Sequence, residues 1–158
     1  MDGSLSDVLD KIRAFADEAH GEQKRKYSDE RYIAHPVRVM ETVRDYIVEL
    51  PVLSAALLHD VLEDTQVTKR KLGKFLGTVM TKEHCEKTLK LVDELTDVFV
   101  KSDYPGMNRR SRKNKEFGRL SQTSPEAQTI KYADIIDNLS DISNDETDFA
   151  LVYIRENK

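Results

Sequence analysis

Apolar residues recur at intervals of three and four along almost the whole chain, and no alternating pattern persists anywhere. Leu5, Val8, Leu9, Ile12, Phe15, Ala16 and Ala19 draw one stripe. Val37, Val39, Met40, Val43 and Ile47 draw a second, and Cys85, Leu89, Val92 and Leu95 a third. This spacing buries one face of a helix, whereas a half-buried strand needs a period of two. The pattern predicts an all-α fold: a compact helical bundle, read as one domain over residues 1–158. A chain of 158 residues can bury roughly 70% of its unfolded surface. With 39% hydrophobic and 34% charged residues, it has an ordinary core inside a polar surface.

Local signals set expected boundaries. Ser4 or Ser6 caps the first helix and Gly21 follows its end. Residues 22–34 are polar and read as a loop. Pro36 starts a second helix, and Pro51 starts a third that runs to about Asp64. Thr68 caps a short helix closed by Gly77, and a fifth helix spans about Lys82 to Asp97. Tyr104-Pro105-Gly106 marks a turn before a basic helix at about 108–121. Ser124-Pro125-Glu126 opens a helix through about Ile142, and a final helix holds Phe149, Leu151, Val152 and Ile154.

Inside the third helix four apolar residues, Ala55 to Leu58, lead into His59 and Asp60, and Glu63 and Asp64 follow one turn later. Burying unpaired charge costs several kcal/mol or forces a change of protonation, and a divalent cation removes that penalty. Residues four apart share a face, so the four side chains are expected on one side of one helix. His35 before Pro36, and Asp134 in the apolar stretch Lys131–Leu139, are the other candidates, with Asn138 one turn after Asp134. Two imidazoles and two carboxylates form a mixed nitrogen and oxygen set suited to Mn²⁺, Fe²⁺ or Zn²⁺ rather than Ca²⁺. The absence of usable thiolates argues against a structural zinc. A divalent ion of this kind makes hydroxide available near neutral pH and so suits hydrolysis.

Composition removes other classes. A formal net charge of −4 gives no basic bias toward nucleic acid. Cys85 is the single cysteine, so no disulfide forms within the chain. The start, Met-Asp-Gly-Ser-Leu-Ser, has neither the basic patch nor the apolar run of a signal peptide. No stretch approaches the ~18 apolar residues that span a bilayer. The expectation is a soluble cytoplasmic protein with a small-molecule ligand and no membrane or nucleic-acid partner; homo-oligomerisation stays open.

His35, His59-Asp60 and Asp134 together resemble the HD phosphohydrolase superfamily. The resemblance extends through Arg25-Lys26-Tyr27, Tyr32-Ile33-Ala34-His35-Pro36, the run Ala56–Thr65, Leu95-Thr96-Asp97, and Lys131-Tyr132-Ala133-Asp134 with Asn138. These segments are similar to the hydrolase domain of RelA/SpoT-type enzymes over about residues 5–155. With no synthetase or regulatory region in these residues, the chain is most similar to single-domain small alarmone hydrolases. The resemblance implies an HD-domain helical bundle. It also implies Mn²⁺-dependent removal of the 3′-pyrophosphate of guanosine 3′,5′-bis(diphosphate), ppGpp, or of pppGpp, giving a GDP- or GTP-type nucleotide and pyrophosphate. It implies His35, His59, Asp60 and Asp134 as metal ligands, and Glu63 and Asp64 as the pair that orients water and moves protons. Arg25 and Lys26 fall on the loop that touches the nucleotide, Asn138 near the ribose, and Tyr153 on a substrate-contacting tyrosine. Lys101 and Arg109, with Arg110, Arg112 and Lys113, are further cations for an anionic ligand.

Two departures bear on substrate. Ile135-Ile136-Asp137-Asn138 stands where long alarmone enzymes commonly carry Arg-Leu-His-Asn, and Asp97 stands where they carry lysine. Both changes alter charge near the expected pocket, so the adenosine counterpart ppApp is a candidate beside ppGpp. Two other readings remain: an HD phosphohydrolase acting on another nucleotide, and a nucleotide-binding module without activity.

Overall fold

The computed structural model describes residues 4–26 and 28–142. Eight helices occur among them: α1 (Leu5–His20), α2 (Ala34–Arg44), α3 (Leu50–Leu58), α4 (Val61–Asp64), α5 (Lys69–Leu76), α6 (Lys82–Leu95), α7 (Arg109–Leu120) and α8 (Pro125–Ile142). Among the described residues there is no strand, only an isolated antiparallel bridge between Lys24 and Arg31. Tyr27, Tyr153 and the expected final helix lie outside the described residues.

The central element is α3. Its sequence, LPVLSAALL, carries no charge, and every residue from Pro51 to Leu58 is buried. A helix that is apolar all round must be covered on all sides, and α3 is packed by α1, α2, α6 and α8. The amphipathic α1 supplies Val8, Leu9, Ile12 and Ala16 to this core. Ser4 accepts from the Asp7 amide at its start. At its end Gly21 adopts φ +59°, a positive-φ conformation that glycine takes without strain. Leu53 is fully buried at the middle of α3, so Leu53→Ala is expected to cost about 2–5 kcal/mol, read as a lower denaturant midpoint.

Three boundaries differ from the sequence expectation. The second helix begins at Ala34, two residues before Pro36, because the His35 amide already closes a turn onto the Tyr32 carbonyl at 3.0 Å. Pro36 is tolerated there because first-turn amides have no partner within the helix. The helix expected over Lys82 to Asp97, α6, ends at Leu95, where Thr96 turns extended. The third helix does not continue to Asp64. It stops at Leu58, and Asp60 takes φ −102°, ψ −3° before the single turn of α4. That backbone region is sparsely used and recurs at functional positions. The break turns the Asp60 carboxylate inward while Glu63 and Asp64 stay exposed. The four side chains therefore do not share one face of one helix.

Candidate metal centre

Three distant segments bring polar side chains to the inner end of α3. His35 is the second residue of α2, His59 and Asp60 occupy the break between α3 and α4, and Asp134 lies within α8. One ligand atom from each of the four lies within 4.8 Å of the others. The Asp134 Oδ1 is 2.8 Å from His35 Nε2 and 3.2 Å from His59 Nε2. The Asp60 Oδ2 is 3.1 Å from His59 Nε2 and 3.7 Å from His35 Nε2. His35, His59 and Asp134 are buried.

This donor set fits a divalent cation. Atoms that bind one ion at about 2.0–2.2 Å are themselves about 3–4 Å apart. Each imidazole is also tethered through its other nitrogen. His59 Nδ1 donates to the Ala56 carbonyl at 2.7 Å, and His35 Nδ1 lies 2.6 Å from Asp137 Oδ2. A carbonyl only accepts, so the hydrogen resides on His59 Nδ1 and Nε2 faces the carboxylates. Histidines that bind metals are held in this way. Burial opposes charge on both imidazoles, but the surrounding carboxylates outweigh it and raise both above the usual histidine range. Asp134 is held well below the carboxylate range against the cost of its burial, by Lys131 and then by the imidazoles.

A further layer orients these groups. The Tyr32 hydroxyl donates to Asp60 Oδ2 at 2.6 Å, and burial followed by the Asp60 charge keeps the phenol protonated. Lys131 Nζ donates to Asp134 Oδ2 at 3.0 Å and Asn138 Nδ2 to Oδ1 at 3.3 Å. Asp137 also accepts two bonds from Arg38, at 2.6 and 3.1 Å. Burial opposes its charge, yet His35 and Arg38 bring it down to about 2. His20 ends α1 and is buried, with its ring 4.6 Å from that of Tyr32. Sequence reasoning gave no role to Tyr32, Arg38 or Asp137. The three-residue step from Asp134 to Asp137 on one helix was the available signal. Tyr32→Phe is expected to weaken Mn²⁺ binding about 10- to 100-fold, measured by titration calorimetry.

Arg25 donates from Nε to Asp141 at 2.7 Å and from its terminal nitrogen to Asn138 at 2.9 Å, with the Tyr32 ring 5.6 Å away. The loop after α1 is thus pinned to α8 beside the donor cluster. Lys26 and Lys101 are exposed on the α1–α2 and α6–α7 connections, and Arg109 is exposed at the first position of α7. Glu63 Oε2 accepts from the Asp97 amide at 3.2 Å. Desolvation, then the negative charges of Asp97 and Asp60, raise Glu63 above the ordinary carboxylate range although its outer edge meets solvent. Asp64 is pushed up to about 6 by desolvation and by Asp60.

Fold and site together define an all-helical domain built around a buried two-histidine, two-carboxylate centre of the kind that holds a divalent metal. An HD domain model matches residues 13–152, and the chain belongs to the HD domain family. It is 31% identical over 144 residues to the mouse (Mus musculus) guanosine-3′,5′-bis(diphosphate) 3′-pyrophosphohydrolase MESH1, covering 89% of this chain and 73% of that protein. It is 31% identical over 137 residues to the guanosine-3′,5′-bis(diphosphate) 3′-pyrophosphohydrolase of Aquifex aeolicus, but spans only 18% of that protein's length. It likewise spans 18% of a Mycoplasma pneumoniae relative. A solved structure of a metazoan ortholog of SpoT that hydrolyzes ppGpp superposes with a TM-score of 0.73 at 28% identity, over 94% of this chain and 82% of that one.

Proposed function

We propose that the protein is a metal-dependent phosphohydrolase that removes the 3′-pyrophosphate of ppGpp or a close analogue. The observation that carries this is the convergence of His35, His59, Asp60 and Asp134 beside the acidic pair Glu63 and Asp64. Water adds to the phosphorus next to the ribose 3′-oxygen, the bond to that oxygen breaks, and GDP (or GTP from pppGpp) and pyrophosphate leave. A divalent cation held by His35, His59, Asp60 and Asp134, which we assign as Mn²⁺ on the family resemblance because the donor set suits Fe²⁺ and Zn²⁺ equally, would supply Lewis acidity and neutralise phosphate charge.

The side chains contribute the rest. Glu63, raised toward neutrality, orients the attacking water and takes its proton, and Asp64 stands next to it for proton transfer to the leaving oxygen. Arg25 and Asn138, bonded to each other, form the edge against which the ribose and 3′-phosphates rest. Lys26, Lys101 and Arg109 are assigned to the outer phosphates, and Tyr153 to substrate contact. Phosphoryl transfer depends mainly on positioning and electrostatics, so a net-negative protein needs such local cations. The formal charge of −4 favours a free nucleotide over nucleic acid, and we place the protein in the cytoplasm.

The test is pyrophosphate release by the purified protein with Mn²⁺, offered ppGpp, pppGpp, ppApp and deoxynucleoside triphosphates in parallel. Release from a 3′-pyrophosphorylated nucleotide alone is expected. Turnover confined to deoxynucleotides, or tight binding without any turnover, overturns the proposal.

A further inference from the structure

We propose that Glu116 is a positioning residue for the Glu63 carboxylate, acting through the backbone of the 96–99 turn. This rests on the role given to Glu63 above. Glu116 lies on α7, far from the donor cluster in sequence, yet is only 4% exposed. A buried carboxylate is costly unless its lone pairs are filled, and here they are. Its Oε1 accepts from the Val98 amide at 2.7 Å and the Phe99 amide at 2.6 Å. Its Oε2 accepts from Arg119 Nε at 3.1 Å and Nη2 at 2.8 Å.

Arg119 completes the clamp. It donates to the Glu94 carbonyl at 2.8 Å and the Thr96 carbonyl at 3.2 Å. Asp97 is therefore held on both sides, through the carbonyl of Thr96 before it and the amide of Val98 after it. From this turn the Asp97 amide reaches across to α4 and donates to Glu63 Oε2 at 3.2 Å. The path runs from Glu116 to the turn, from the turn to the Asp97 amide, and from that amide to Glu63. An apolar residue at 116 could accept none of these bonds. Charge-assisted bonds to a fixed carboxylate are short and directional, which suits an anchor.

The experiment compares Glu116→Ala and Glu116→Gln in wild-type and Glu63→Gln backgrounds. Glu116→Ala is expected to lower kcat about 10- to 100-fold with KM and Mn²⁺ affinity unchanged, since a small misplacement of a reacting group has this size of effect. Glu116→Gln keeps an acceptor oxygen for the two amides and is expected to recover most of the rate. In the Glu63→Gln background, Glu116→Ala should cost nothing further. An equal loss in both backgrounds overturns the proposal, as does a KM effect alone. A second measurement needs no substrate. The Asp97 amide resonance should move on Glu63→Gln in the wild type, and that response should vanish with Glu116→Ala or shrink with Glu116→Gln. An undiminished response overturns the proposal. If the wild-type protein releases pyrophosphate from none of the nucleotides, the functional reading falls by itself and the amide measurement still decides on Glu116. Should the alanine variant fail to fold by circular dichroism, the amide measurement on the glutamine variant decides: a diminished response supports the proposal and an undiminished one overturns it.

Discussion

Asp60→Ala is expected to abolish metal binding and hydrolysis together. Asp60 is half-buried at the helix break, with one oxygen shared between the two imidazoles and the Tyr32 hydroxyl. Its removal leaves three of four donors, takes away the negative charge that balances the cation, and strands the buried phenol. With several kcal/mol of charge stabilisation lost, kcat/KM should fall about a thousandfold or more. Calorimetric titration with Mn²⁺ should show no saturable site at concentrations that fill the wild type. Helix content should survive, because α3 is held by apolar contacts to α1, α2, α6 and α8 rather than by the centre. A variant that keeps stoichiometric Mn²⁺ and near wild-type turnover would remove Asp60 from the centre and undo the functional reading.

The donor group was legible because it is chemically out of place. His59 and Asp60 interrupt a run of apolar residues, and Asp134 sits between Ala133 and Ile135 in another. Such residues must find partners or a cation when the helix packs. The helices were legible because their apolar period is long and uninterrupted, and because Ser4 and Thr68 announce two of the starts; Thr81 and Asn108 cap two more through side-chain oxygens that the sequence reading did not use. The break after Leu58 was not legible, since no glycine or proline marks it. It is set by what Asp60 reaches in three dimensions, namely Tyr32 and the two imidazoles. Asp137 was noticed only as a changed charge. Its bonds to His35 and Arg38 depend on how α2 lies along α8, which no local pattern encodes. Glu116 lies within the expected basic helix at about 108–121, and only its burial against the 96–99 turn separates it from the lysines around it.

Glu63→Gln is expected to keep the metal and lose most of the rate. Glu63 is not among the four clustered donors, and its one described hydrogen bond comes from the Asp97 amide, which an amide oxygen can also accept. Glutamine therefore preserves shape and fold while removing the ability to take a proton. Loss of a general base costs about 10²- to 10⁴-fold, and it should appear in kcat with KM little changed. The pH dependence gives an independent check. Desolvation and the neighbouring carboxylates raise Glu63, so it stays protonated, and inactive as a base, at pH values where an ordinary carboxylate is ionised. The wild-type kcat should therefore climb with pH along a limb displaced upward from the carboxylate range, and the residual rate of Glu63→Gln should lack that limb. Asp97→Asn removes one of the charges that raise Glu63 but keeps the backbone amide, so it should move the limb to lower pH. Full activity of Glu63→Gln, or a limb unmoved by Asp97→Asn, would mean that the proton leaves the attacking water by another route.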